Sequence, residues 1–204
     1  MLKLYFAPGA CSLSPHIALR EAGLAFELDR VDFATKTTAA GENFLAVNPR
    51  GYVPALRVDA STVLIEGPAI VQYIADQNPG SNLAPANGTI ARYELQGWLA
   101  FLNSEVHKPF GVFFNPKADD AAKASARGAL TRRFEYLNGE LTGRTHLMGD
   151  TFTVADGYLF VLLGWTKHVG YDLSPFPSLQ SFVGRVFERP AVQAAMKAEG
   201  LIKE

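Results

Sequence analysis

The stretch LKLYFAPGACSLSPHIALREAGLAFELDRVDF, residues 2–33, decides the fold of the first part of the chain. KLYF is rich in strand formers and stops at Pro8-Gly9, which marks a short buried strand. A helix follows. In SLSPHIALREAG, Ser12 or Ser14 caps the first turn, Pro15 takes an early position where its missing N–H costs nothing, and Gly23 suits the C-terminal stop. From Phe26 to Phe33 apolar and β-branched residues return in rough alternation, a second strand. The order is β-α-β, and it sets the only cysteine, Cys11, between the first strand and the helix.

Working outward, residues 34–52 are polar, glycine-bearing and weakly periodic, a long connection with one helical turn around Phe44. VPALRVD and TVLI flank a turn at Asp59 to Ser61, giving a hairpin. EGPAIVQYIADQNPG then reads as a helix with Pro68 in its first turn, an apolar face at Ile70, Val71 and Ile74, and a stop at Asn78-Pro79-Gly80. A β-α-β unit followed by β-β-α fits one small α/β domain over residues 1–80, with SNLAPANG, 81–88, as linker. Residues 89–204 read as all-helical. The first helix there, IARYELQGWLAFLNSEVHKPF, is expected to end near Pro109, and ADDAAKASARGALTRRFEYLNGEL follows with an acidic start. TFTVADGYLFVLLGWTKHVG is apolar enough to be central, and Thr153-x-x-Asp156 has the pattern of a capping box, which gives Asp156 a structural role. Two last helices break at Pro190.

Composition narrows the function classes. Lys plus Arg is 19 against Asp plus Glu at 20, a net charge of −1, so no charge excess points to nucleic acid. No apolar run reaches the 18 or so residues of a membrane span, and the N-terminal apolar stretch breaks at Pro8 before a signal core forms; a soluble cytoplasmic protein is expected. One cysteine and four scattered histidines give no disulfide and no metal-ligand cluster, so neither metal nor cofactor is expected.

Cys11 at a helix start faces the positive end of the macrodipole and unpaired backbone N–H groups, which lower a thiol pKa and equally hold the thiolate of a bound ligand. The position suits either a cysteine nucleophile or a sulfur-binding pocket. In NPRGYVPAL, residues 48–56, a proline directly before a strand leaves the preceding backbone free to pair with an extended peptide. Most X–Pro bonds are trans, and composition alone gives Val53-Pro54 no reason to differ. Glu66-Gly67-Pro68 puts a carboxylate beside bare helix N–H groups, a match for the ammonium and carboxylate of an amino-acid head group.

PGACSLSPHIALRE, NPRGYVPAL, EGPAIVQYIAD, SEVHK and FTVAD stand in the order and spacing of the bacterial beta-class cytosolic glutathione transferases, which the chain resembles over essentially its whole length. The resemblance implies a thioredoxin-like N-terminal domain followed by an all-α C-terminal domain, a homodimer, and a cis Pro54. It implies that Cys11 lies beside the glutathione sulfur, by hydrogen bond or mixed disulfide. Val53 is to pair its backbone with the cysteinyl part, Glu66 and Gly67 to hold the γ-glutamyl end, and Lys36 to reach the glycine carboxylate. Ser104 and His107, three apart on one helical face with Lys108 a step round, are to look across the domain cleft at the sulfur. There His107 lowers the pKa of the bound thiol, by donating to the thiolate or by carrying charge. His16, His146 and His168 have no such match and read as structural or surface residues.

Two departures stand out: Ala100 where family members often have asparagine, with Asn103 expected to face differently, and Gly157 where a larger residue would pack over the capping box. Phe113, Phe114 and Trp165, near His107 in sequence or on the central helix, are candidates for stacking on a flat hydrophobic electrophile, beside the plainer reading of core packing. The expected function is activation of glutathione as thiolate for conjugation to, or dehalogenation of, a small hydrophobic electrophile, with Cys11 and His107 catalytic. The alternatives are a thiol-disulfide reductase working through Cys11 and a non-catalytic protein that binds hydrophobic ligands.

Overall fold

The computed structural model describes residues 1–203 and divides them into two compact units, Met1–Ala84 together with Glu188 onward, and Pro85–Phe187. The first unit holds a five-stranded sheet in the order β3-β2-β1-β4-β5, made of β1 (Leu2–Phe6), β2 (Phe26–Asp32), β3 (Thr37–Thr38), β4 (Ala55–Arg57) and β5 (Val63–Ile65). β1 lies in the middle because Leu4, Tyr5 and Phe6 are all buried, as both faces of a central strand require. It pairs parallel with β2, Leu4 opposite Leu28, and antiparallel with β4, Leu4 opposite Leu56. The parallel pair needs a crossover, and α1 (Leu13–Glu21) supplies it. The remaining helices of this unit are α2 (Phe44–Val47), α3 (Gly67–Gln77) and α9 (Pro190–Ala198), the last packed against α1. Phe44, wholly buried, joins Tyr5, Val31, Val53 and Ala55 in one core, so the single turn expected around Phe44 anchors the long connection.

Three features of this unit differ from the sequence reading. The edge strand β3 escaped notice because two threonines carry no period. Ser12 does not cap α1: its hydroxyl accepts from Ala7 N–H at 3.1 Å and donates to Ala7 carbonyl at 3.2 Å, tying off the Pro8-Gly9 turn instead. Ser14 does not cap either; it is buried within the helix. The third difference is the placement of the end of the chain. Residues 89–204 were expected to form one helical domain, but Glu188 onward belongs with the sheet. Glu199, buried, accepts from His16 Nδ1 at 2.8 Å and from Gly9 N–H at 2.9 Å, and Arg189 holds Glu21 through two hydrogen bonds of 2.6 and 2.8 Å.

The second unit contains α4 (Ile90–Phe101), a π-helical turn (Leu102–His107), α5 (Lys108–Phe113), α6 (Asp120–Glu140), α7 (Val154–Gly164) and α8 (Pro177–Phe187). Pro109 was expected to end the first helix, yet the helix runs on through it to Phe113. A proline ring clashes with the carbonyl four residues back in an α-helix, and the wider turn just before Pro109 is the register that relieves such a clash. α7 is buried from Val154 to Leu163. Its capping box forms as expected: Asp156 Oδ2 accepts from Thr153 N–H and Oγ–H, while Oδ1 accepts from Leu147 N–H at 2.8 Å.

Candidate functional site

The loop after β1 carries Cys11 one residue before the N-cap of α1, and the loop before β4 carries Val53 ahead of a cis Val53-Pro54 bond. The two meet: Cys11 Sγ–H donates to Val53 carbonyl at 3.3 Å. The cis bond agrees with what the family resemblance implied. Glu66, at the N-cap of α3 with φ 70°, stands in the left-handed region, which a non-glycine residue adopts only where its surroundings hold it. Its carboxylate is largely exposed and pairs with Arg50 Nη1 at 2.6 Å. Gly67 opens α3, and a Cβ added there would meet only Pro54 Cγ, at an ordinary 3.9 Å. The position therefore has room for a small side chain.

Lys36 is half-buried rather than a solvated surface lysine. With φ 57° it turns back across the loop, donating from Nζ to Gly51 carbonyl at 3.1 Å, its ammonium 5.2 Å from the centre of the Phe33 ring. Gly51 (φ 68°) permits this approach; a Cβ there would stand 3.2 Å from Leu45 Cδ2 and 3.5 Å from Lys36 Cε. A cavity of about 620 Å³ in the same unit is lined by Ala7, Pro8, Arg30, Phe33, Thr35 and Thr37 among others, and by none of the expected site residues.

The electrostatics of Cys11 run opposite to expectation. Its thiol is pushed up to about 12, chiefly by burial and further by the nearby Glu66 charge, while the backbone N–H groups of Cys11 and Ser12 pull the other way without prevailing. The helix start is there, but desolvation outweighs it. At neutral pH the group is a thiol that donates a hydrogen bond.

In the second unit the π turn rearranges the face expected for Ser104 and His107. When a helix closes i→i+5, each residue advances through a smaller angle than in an α-helix, so residues four apart align and residues three apart separate. Asn103 and His107 are the pair that converge: Tyr158 Oη–H donates to Asn103 Oδ1 at 3.0 Å, and His107 Nδ1 lies 2.6 Å from Tyr158 Oη. Ser104 and Lys108 are exposed, as is Ala100, whose methyl offers no polar contact. The Trp165 indole, buried, meets the His107 ring edge-on at 4.9 Å, and Phe110 and Phe114 each meet it edge-on at 5.5 Å. Phe114 is 52% exposed, while Phe113 is half-buried under the Arg127 guanidinium. Of the four histidines, His16 is buried in the pair with Glu199 and His168 is exposed, as expected of structural and surface residues.

Arg50, Asn103 and Tyr158 were missed. Arg50 lies within NPRGYVPAL, where the prolines carry the local signal and a single arginine carries none. Tyr158 left a readable signal, a hydroxyl on an otherwise apolar helix, since a buried tyrosine needs a partner for its tip. Among the described residues no group of three or more His, Cys, Asp or Glu side chains could hold a metal ion, and no helix is long and apolar enough to cross a membrane.

Comparison with known proteins gives consistent matches along the chain. Residues 9–77 match the family model described as glutathione S-transferase, N-terminal domain, and residues 101–190 match glutathione S-transferase, C-terminal domain. Glutathione S-transferase GstA of Escherichia coli O157:H7 is 42% identical over 200 residues, 98% of this chain and 100% of its own length. Among solved structures, the ternary complex of BphK, a bacterial GST, matches with a TM-score of 0.96 at 58% identity, covering 97% of this chain and 99% of that one. The bacterial beta class glutathione S-transferase of Sphingomonas chungbukensis matches with a TM-score of 0.95 at 52% identity, covering 98% and 100%.

Proposed function

Since this chain belongs to the bacterial beta-class glutathione S-transferases and is a glutathione transferase, we propose that it ionises glutathione for attack on a small hydrophobic, aromatic or halogenated electrophile. The observation that carries this reading is the Cys11 thiol, neutral and hydrogen-bonded to the backbone beside Pro54. The glutathione thiol, near 8.5 like free cysteine, is mostly protonated at neutral pH, and only its thiolate attacks well. A neutral Cys11 S–H is suited to donate to that thiolate. Val53 carbonyl then receives the cysteinyl N–H of the tripeptide in place of Cys11. Glu66 and the Gly67 N–H take the γ-glutamyl group, Lys36 the glycine carboxylate, and His107, with Ser104 beside it, acts on the sulfur. Phe113, Phe114, Trp165 and Lys108 contact the electrophile. Rate comes from thiolate formation and orientation, with no covalent enzyme–substrate bond.

The raised Cys11 thiol speaks against a reductase, because a cysteine that carries disulfide exchange needs thiolate character of its own. The assembly in this reading is a cytoplasmic homodimer needing no cofactor beyond glutathione; the exposed Tyr52, Tyr93 and Tyr136 provide apolar surface for a second copy. Conjugation of glutathione to an aromatic-halide panel is the direct test. His107→Ala is expected to lower kcat about 10²-fold at pH 7 with a smaller change in the glutathione KM, and an unchanged rate removes His107 from the mechanism. Cys11→Ala, which removes one donor to the thiolate, is expected to slow conjugation without abolishing it; complete loss of conjugation with a glutathione adduct on wild-type Cys11 turns the reading towards disulfide exchange.

A further inference from the structure

The Asn103–Tyr158–His107 contacts contain more hydrogen-bond information than their distances. A phenol has one proton. Tyr158 gives it to Asn103 Oδ1, so the 2.6 Å contact with His107 has the proton on the ring: Nδ1–H donates and Tyr158 Oη accepts. A neutral imidazole carries a single N–H, and the hydrogen bond on one nitrogen sets the state of the other. With Nδ1 protonated, Nε2 holds the lone pair. Trp165, edge-on at 4.9 Å with its plane 67° from that of the imidazole, packs against the ring and limits its rotation.

The arrangement depends on the π turn, which brings Asn103 and His107 to one hydroxyl, and on α7, which delivers that hydroxyl from a residue only 4% exposed. From this geometry we infer that Asn103 and Tyr158 are positioning residues that keep neutral His107 in its Nδ1–H form, making Nε2 a base for the thiol of the bound substrate rather than a neutral hydrogen-bond donor to it. The inference rests on the transferase reading for the identity of that thiol. The proton step balances: the S–H bond breaks, its proton forms Nε2–H, and the products are a thiolate and an imidazolium. Nδ1–H stays on Tyr158, and Nε2–H is left as a charge-assisted donor to the sulfur. A ring held in the opposite form would present Nε2–H to a protonated thiol and have no site for its proton.

The test reads the proton on the ligand-free protein. In protein labelled with ¹⁵N-histidine, at a pH where the ring is neutral, two-bond ¹⁵N–¹H correlation separates a protonated ring nitrogen from a bare one, and the spectrum of H107Q identifies the His107 signals. The wild type is expected to show a protonated Nδ1 and a bare Nε2. Asn103→Asp, which can only accept, is expected to preserve that pattern of ring protonation. Tyr158→Phe removes the acceptor, so the pattern is expected to swing to Nε2–H and kcat to fall at least tenfold while the glutathione KM moves less. Asn103→Leu repeats the release from an exposed position that does not threaten folding, and is expected to give mixed protonation. A wild-type ring with Nε2–H, reversed only in Asn103→Asp, means the Asn103 amide donates and overturns the inference. Unaltered His107 signals in both Tyr158→Phe and Asn103→Leu overturn it as well. An Nδ1–H wild type that conjugates no electrophile leaves the ring assignment standing and removes the transferase reading instead.

Discussion

Cys11 lies one residue before the N-cap of α1, among backbone N–H groups that ordinarily favour a thiolate, and still keeps its proton. Its reactivity follows from that balance. With the thiol raised to about 12, the reactive fraction at pH 8 is about 10³-fold below that of a free cysteine. Alkylation by iodoacetamide is expected to be slower by that order and to climb without levelling from pH 8 to 10.5; a rate with its midpoint near pH 8.5 that levels by about pH 9.5 means an ordinary thiol and removes the burial argument. Stability follows the same sign. A folded-state value above the unfolded one adds stability that is constant below about pH 9 and declines as pH rises towards 12. Tyr5, also raised by burial and by its hydrogen bond to Glu42, moves in the same direction. Much at this scale was legible in the residues. The sequence put Cys11, Val53 and Glu66 at one helix start and one strand edge, which is where they are. The pKa direction was not legible, because desolvation depends on what the fold brings over the loop, and local position along the chain does not report that.

At the scale of the elements, α7 shows how far a pattern can carry. T-x-x-D before an apolar run announced a capping box, and the buried Asp156 satisfies three donors, one of them the Leu147 N–H from outside the helix. That extra bond makes it more than a cap. Asp156→Ala is expected to lower stability by about 3 kcal/mol, since two buried backbone N–H groups lose their acceptor. Asp156→Asn, which retains one oxygen, is expected to lose less. Urea unfolding with an unchanged m-value measures both, and a loss under 1 kcal/mol for alanine reduces the residue to an ordinary cap. The π turn was illegible by comparison. Apolar residues in LAFLNSEVHKPF suit an α-helix until Pro109 is reached, and a proline reads first as a stop. The helix instead widens ahead of it, and that this makes Asn103 rather than Ser104 share a partner with His107 shows only against the Tyr158 hydroxyl, more than fifty residues later in sequence.

Across the whole molecule, the sequence reading separated a sheet-bearing part from a helical one correctly in kind and misplaced the end of the chain. α9 resembles any amphipathic helix of the second half, and only its partners reveal its home: Glu199 on His16 and Gly9, Arg189 on Glu21. Arg20 Nε donates to His16 Nε2 at 2.9 Å, so the ring proton sits on Nδ1 and meets Glu199. Removing one partner from this buried pair leaves the other without compensation. Glu199→Ala is expected to cost about 2–4 kcal/mol, because His16 Nδ1–H and Gly9 N–H lose this acceptor, and to speed amide exchange through residues 9–11, next to Cys11. The double change His16→Leu with Glu199→Leu is expected to cost less than the single one, and a larger loss in the double means packing rather than pairing is the source. Because α9 closes a unit begun by β1, with Pro85–Phe187 between them, the order of synthesis and the order of completion do not coincide. On the ribosome the helical segment is finished while Gly9 and His16 still lack their acceptor, so the stretch translated first is the one expected to reach full protease resistance last, against the usual N-terminal-first sequence of events.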